Sequence, residues 1–229
     1  MALNINGTTG ISGVDGTVSA PALTGTDSNT GITFPSADTI KFSTGGVERM
    51  SITNSGVTGA GGGKVLQVKK TLVTALESIT CDTSGTGSHD SSLAVTITPS
   101  NASNIIYVSA FGFGEGNSTD QSSFTTRLKK VISGGSTSYY PAAVGNRNPI
   151  FSKTGTSNIN ASNTPDSFGI PNFPDTAGTT SAITYTLQFM YFAGLSSAGT
   201  YYLNRIVGDS NQSGYPNFAS WITAMEVEP

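Results

Sequence analysis

Along ITYTLQFMY, every second residue is apolar: Ile183, Tyr185, Leu187, Phe189 and Tyr191 fall on one side, Thr184, Thr186 and Gln188 on the other. That period of two predicts a half-buried antiparallel strand. Leu93, Val95 and Ile97 alternate in the same way with Ala94 and Thr96, and Pro99, Ser100 and Asn101 then predict a turn. IIYVSAFGF, from Ile105, is apolar on both faces, which places it centrally in a sheet. FTTRLKKVI, from Phe124, sets Phe124, Leu128 and Ile132 against Arg127 and Lys129. TYYLNRIV from Thr200 and FASWITAMEV from Phe218 complete the set, the latter expected to bury Trp221, Met225 and Val227 together, so that Trp221 reads as core and not as a sugar-stacking platform. No run has a helical period. Seven or eight strands in this part of the chain predict an all-β fold, a β-sandwich of jelly-roll type.

The first sixty residues follow a thinner pattern. Ile5, Ile11, Val14, Leu23, Ile32, Phe34, Ile40, Phe42, Val47, Met50 and Ile52 are nearly their whole apolar inventory, spaced by Gly, Thr, Ser, Asn and Asp. A segment of this size cannot repay its conformational entropy with so few apolar groups. Yet Ile32/Phe34 and Ile40/Phe42 keep the strand period, and the glycines supply turns. The physical resolution is that identical chains supply the missing core to one another, as the shaft of a fibrous oligomer requires. Composition changes at Gly59–Gly63, where side chains vanish. The expected organisation is an extended, intertwined β shaft over residues 1–58, a glycine hinge at 59–63 and a sandwich head over 64–229.

One region lacks the pattern, from Ser133 to Gly178, with five prolines and no long alternation. Loops of that length in a compact domain are usually functional. Tyr139, Tyr140, Arg147, Asn148, Phe151, Phe168 and Phe173 equip it for a carbohydrate surface, because aromatic faces stack on sugar rings and Asn and Arg bond their hydroxyls. The competing reading folds these aromatics inward to pin the loop or to meet a neighbouring subunit. GDSNQSGYPNF, from Gly208, offers a second surface with Tyr215 at a turn. The candidate carbohydrate-binding residues are therefore Tyr139, Tyr140, Arg147, Asn148, Phe151 and Tyr215.

Charge narrows the field. Charged residues make up 11% of the chain and the net charge is −3, so no basic surface draws nucleic acid by counterion release. Lys69/Lys70 and Lys129/Lys130 read as solvated strand faces. No stretch approaches the roughly 18 apolar residues that span a bilayer, and MALNINGTTG lacks the features of a signal peptide, so synthesis in the cytoplasm without a secretion address is expected.

Catalytic constellations are weak. A lone Cys81 forms no intrachain disulfide and no cysteine metal cluster. The single histidine, His89, lies in a Gly- and Ser-rich stretch and rules out a multi-histidine metal site within one chain. GAGGGKV lacks both the first glycine and the hydroxyl residue of a phosphate loop. Asp82, Asp90, Glu115, Asp120, Asp166, Asp175 and Asp209 sit mostly in turn-like contexts, although two carboxylates brought to glycosidase spacing by the fold or across subunits would act otherwise. No catalytic residue, metal or cofactor is assigned.

INGTTGISGVDG from Ile5, GTDSNTGITFPSADTIKFSTGG from Gly25 and VERMSITNSGVTG from Val47 resemble the repeat-bearing shaft of tail fibre proteins from tailed bacteriophages, notably those of cyanobacteria. GKVLQV from Gly63, SLAVTITPSNASNIIYVSA from Ser92, TTSAITYTLQF from Thr179, TYYLNR from Thr200 and ITAMEV from Ile222 resemble the globular head that follows it. The resemblance spans nearly the whole chain and rests on structural motifs. It implies a non-enzymatic homotrimer in the virion, docked through its N-terminal segment on a tail, baseplate or adaptor protein. Its head would bind host surface polysaccharide or protein multivalently, without nucleic acid or membrane insertion. The alternative is a capsid-decorating head fibre or a tail connecting protein with no host receptor.

Overall fold

Alternating sequences pair into antiparallel sheets because each strand then hides one row of side chains and satisfies its backbone groups. The computed structural model describes residues 4–6, 10–12, 15–59, 64–81, 88–117, 124–145, 150–154, 165–191, 199–208 and 217–229. Among them the fold is all-β, with several sheets and no helix. Contacts divide the chain into two units, Met1–Lys64 and Val65–Pro229. Residues 60–63 of the expected hinge lie outside the described residues.

In the first unit, β1 (Asn4–Asn6) pairs with β2 (Gly10–Ser12) and β3 (Gly16–Thr17) with β4 (Ala20–Pro21). A five-stranded meander follows: β5 (Leu23–Thr24), β6 (Gly31–Ser36), β7 (Thr39–Thr44), β8 (Val47–Thr53) and β9 (Gly56–Thr58). Thr44 pairs with Val47, so Gly45–Gly46 form a two-residue turn, and both have positive φ (59° and 73°), as such a hairpin favours. Leu23, Ile32, Phe42 and Met50 line up across the sheet, as do Ile40, Ile52 and Val57. Among the described residues of the unit, this apolar face is only partly covered. Leu23, Phe34 and Val57 are 43%, 39% and 47% exposed, and apart from Pro21 no described aliphatic or aromatic side chain of the unit is buried. The buried positions are instead Thr33, Ser43 and Ser51, together with Pro21.

The second unit is sandwich-like. Its strands are β10 (Val65–Val73), β11 (Glu77–Cys81), β12 (Ser88–Ile97), β13 (Ile105–Asn117), β14 (Phe124–Ile132), β15 (Thr137–Tyr140), β16 (Ser152–Thr154), β17 (Asp166–Thr176), β18 (Ile183–Tyr191), β19 (Gly199–Leu203) and β20 (Ser220–Val227). One sheet runs β10-β20-β13-β19-β11, with β17 on the other edge of β13; the second runs β12-β18-β14-β15, with β16 also on β14. A single core lies on their inner faces: Leu93, Val95, Ile97, Leu128, Ile183, Tyr185, Leu187 and Phe189 from the five-stranded sheet meet Ile106, Val108, Phe168, Ile170, Tyr201, Leu203 and Ile222 from the other.

Strand β13 is central, as its two apolar faces predicted. Its inner face tapers from Ile106 and Val108 through Ala110 to Gly112 and Gly114. The missing side chains make room for rings: a Cβ on Gly112 would lie 2.5 Å from Phe168, and one on Gly114 2.7 Å from Tyr201. One edge of β13 is shared in sequence by β20 (Ile105–Phe111) and β19 (Gly114–Asn117). The buried Asn204 stitches this hand-over. Its N–H donates to Phe113 O (2.9 Å), its Nδ2 to Val73 O (2.8 Å) and Ala75 O (3.1 Å), and its Oδ1 accepts from Ser220 Oγ (2.6 Å). Its φ of 63° suits Asn better than most residues.

Several expectations are corrected. The 133–178 region is not one long loop, since it holds β15, β16 and the eleven-residue β17. Pro171 and Pro174 disguised β17, but it pairs with β13 on one side and with no other described strand, so the missing N–H groups cost no ladder bond there. The phase of β20 is also reversed. Ser220, Ile222, Ala224 and Glu226 are buried, while Trp221, Met225 and Val227 face outward. His89, Asp90, Glu115, Asp166 and Asp175 lie in strands and not in loops or turns. Asp82, Asp120 and Asp209 lie outside the described residues.

Glu226 is fully buried because its carboxylate is fully used. It accepts from Asn104 Nδ2 (2.6 Å), Ser100 N (2.7 Å), Ser100 Oγ (2.8 Å) and Gln67 Nε2, which also donates to Thr98 O (2.7 Å). The 99–104 turn between β12 and β13 is thereby tied to β20 and β10. Burial pushes the Glu226 carboxyl up, but these donors outweigh it and hold it down at about 2, below the ordinary 4.5. A folded-state value below the unfolded one means that the stabilisation is complete above about pH 4.5 and is lost as pH falls toward 2. Acid titration of denaturant midpoints should show this loss, and Glu226→Gln should flatten it. Glu226→Ala, which strands the donors, should cost about 3 kcal/mol at pH 7 by chemical denaturation.

Candidate functional site

The outer face of the five-stranded sheet is polar and ordered by register. Asp90 on β12, Gln188 on β18 and Arg127 on β14 lie in one row, and Ala94, Thr186, Lys129 and Tyr139 in the next. Arg127 Nε donates to Gln188 Oε1 (2.8 Å), Gln188 Nε2 donates to Asp90 Oδ1, and Lys129 Nζ donates to Asp90 Oδ2 (2.7 Å). The Arg127 guanidinium lies 4.1 Å from the Tyr139 ring centroid, and Tyr139 is 41% exposed. Partial burial raises the Asp90 pKa, but the Lys129 and Gln188 hydrogen bonds and the Lys129 and Arg127 charges outweigh it and hold the carboxyl below its usual range. The result is a fixed acceptor beside fixed donors, with an aromatic face next to them. Such a surface can hydrogen-bond vicinal hydroxyls and stack one ring face.

Tyr140 follows Tyr139, so it leaves the strand by the opposite face. It pairs in register with the core residue Leu128 and donates its hydroxyl to Asp175 Oδ1 (2.9 Å). Tyr185 donates to Asp175 Oδ2, and Lys130 Nζ sits 2.7 Å from the same oxygen. Lys130 also donates to Thr176 O (3.1 Å) and Ala177 O (3.2 Å). Burial, then the bond to Asp175 and its charge, push the Tyr140 phenol up to about 12, and the same causes push Tyr185 up further. Both phenols remain donors at neutral pH. This knot joins β14, β15 and β18 of one sheet to β17 of the other.

Lys130 is therefore buried, which corrects the reading of Lys129/Lys130 as a solvated pair. The signal was present, since the alternation that turns Leu128 and Ile132 inward turns Lys130 inward between them. Phe151 is half-buried, 5.1 Å from Phe173, which lies 4.9 Å from Tyr140; both phenylalanines pack on the core. Phe168, read from the sequence as a surface candidate, is buried against Phe189 and Tyr201.

Of the six candidate receptor-binding residues, Tyr139 stands on the polar face, and Tyr140 and Phe151 join the inward wedge. Arg147, Asn148 and Tyr215 lie outside the described residues. Asp90, Arg127, Lys129 and Gln188 were missed as a group because three strands assemble them, although each sits at an outward phase. Among the described residues, no group of three or more His, Cys, Asp or Glu side chains is placed to hold a metal ion.

No family model and no curated protein matches this chain.

Removing one partner of the buried knot should be far costlier than removing a surface charge. Asp175→Ala leaves the Lys130 ammonium and two phenols without their acceptor and should lower stability by about 3–5 kcal/mol. Breaking the exposed Lys41–Glu48 pair (2.7 Å) by Glu48→Gln should leave the denaturation midpoint nearly unchanged. Parallel denaturation curves of the two variants check the contrast.

Proposed function

We propose that the chain is a non-enzymatic fibre protein of a tailed-phage virion that attaches the particle to a bacterial surface. In this reading it is a homotrimer, residues 1–58 forming an intertwined shaft that docks on a tail, baseplate or adaptor protein. Residues 64–229 form the jelly-roll-type head. The observation that carries the reading is the first unit's five-stranded sheet, whose apolar face is left half-open among the described residues and none of whose described aliphatic and aromatic side chains is fully buried. Only further chains supply what such a segment lacks at matched stoichiometry. The sequence resemblance supplies the number three and the virion setting.

The ligand in this reading is surface polysaccharide, held by Asp90, Arg127 and Lys129 beside Tyr139, with the buried Gln188 bracing Asp90 and Arg127 from below. A shallow face with one exposed ring binds weakly. Three heads on a fibre, and several fibres on a particle, turn weak contacts into firm attachment through effective concentration.

The test combines light scattering of the purified chain with binding to host cells and to immobilised surface polysaccharide. A trimer that binds saturably without releasing sugar is the expected result. Tyr139→Ala should cost about 1 kcal/mol per site, roughly fivefold, and up to about a hundredfold in trimer avidity when three sites engage. The thermal midpoint should stay put, because the ring is exposed. A monomer refutes the shaft, and a trimer that ignores host cells but docks on capsid or tail protein makes the chain a decorating or connecting component.

A further inference from the structure

The two outer faces of the sandwich differ in kind. While the five-stranded sheet shows a charged, hydrogen-bonded face, the six-stranded sheet shows an apolar one, and register sets its rows. Val65, Val227 and Ile105 form the first row, and Val68, Met225, Tyr107 and Pro174 the second. Lys70, Thr223 and Ser109 form the third, and Leu72, Trp221 and Phe111 the fourth. Val68 and Leu72 are 55% and 56% exposed, and Trp221 lies 5.1 Å from Phe111. Beside them a shallow cleft is lined by Trp221, Phe111, Ser109, Gly169, Ile170 and Pro171.

We propose that this face is a self-association surface, covered by a second copy of the chain. Area is the first argument. Four strands about 4.8 Å apart, over about eight residues of about 3.4 Å each, give roughly 500 Å² per copy in projection. Two such faces bury about 1,000 Å², the lower bound of a specific interface, before side-chain relief is added. Charge is the second argument. Interfaces between copies bring like charges together, yet within these rows Lys70 carries the only charge, and it stays near its own Trp221 ring at 6.0 Å. A saccharide would need convergent donors and acceptors, which these rows offer only through Lys70, Thr223, Ser109 and Tyr107. The polar face of the other sheet is built for that, so the two faces divide the tasks.

The proposal stands apart from the phage and glycan readings, and it has its own reporter because Trp221 is the only tryptophan in the chain. In the full-length chain at micromolar concentration, light scattering should report an oligomer, and Trp221 should emit to the blue and resist acrylamide. Leu72→Glu and Val68→Glu, each placing a carboxylate among the apolar rows, should weaken head-to-head association by at least about tenfold. The readout is lower mass. Where the first unit holds the copies together, it is unchanged mass with Trp221 red-shifted and open to acrylamide. Leu72 is exposed in the single chain, so Leu72→Glu should keep its circular dichroism and serves as the folded control. A monomeric wild-type chain overturns the proposal. So does an oligomer whose Trp221 is as accessible as in the variants, or a Trp221 shielded only after polysaccharide is added. Polysaccharide binding, measured on the same samples, fails or survives separately.

Discussion

In an antiparallel strand, consecutive side chains leave by opposite faces, and a sheet therefore has one identity on each side. The arrangement of this protein follows from that constraint. It turns Ile183, Tyr185, Leu187 and Phe189 into a core wall while Thr184, Thr186 and Gln188 leave by the opposite face, where Thr186 and Gln188 are themselves buried beneath neighbouring polar side chains. It separates Tyr139 from Tyr140, one residue apart, into a solvent-facing ring and an internal hydrogen-bond donor. It also carries Lys130 and Glu226 inside, since the strands cannot turn their neighbours inward without them.

Those internal charges are tolerated because each is met by a complete set of partners. Glu226 receives four donors, and Asp175 receives two phenols and an ammonium that is itself bonded to two carbonyls. Paired so, buried ions add little net stability over an apolar substitute, but they penalise any register in which a partner is missing. The knot of Asp175 and the cluster of Glu226 thus select one alignment of the two sheets. Asn204 does similar work without charge at the place where β13 changes partner.

The first unit obeys the same rule without completing it. Its meander sorts Ile32, Ile40, Phe42, Met50 and Ile52 onto one face, then leaves that face half-open. Together with the apolar outer face around Trp221 in the second unit, this gives the chain two surfaces suited to protein and one, around Tyr139 and Arg127, suited to a polar ligand. Association of copies and display of a repeated binding face are the physical requirements of multivalent attachment.

Strand existence was legible in the sequence wherever one face was apolar and the other polar, as in 183–191 and 93–97, because burial of a single face forces period two. So was the poverty of the first sixty residues, which is a matter of composition. Which face turns inward was not legible where both are apolar: in SWITAMEV the larger side chains pointed to the wrong side, and only packing against the second sheet decided for Ile222 and Ala224. β17 was hidden because prolines break the pattern of a central strand but not that of an edge. The polar face escaped because Asp90, Arg127 and Gln188 lie up to 98 residues apart and are neighbours only through strand pairing. Local periodicity and composition were enough for the strands and for the thin apolar supply of the first sixty residues. The tertiary structure alone decided the phase of each strand and the members of each surface, because both depend on long-range register.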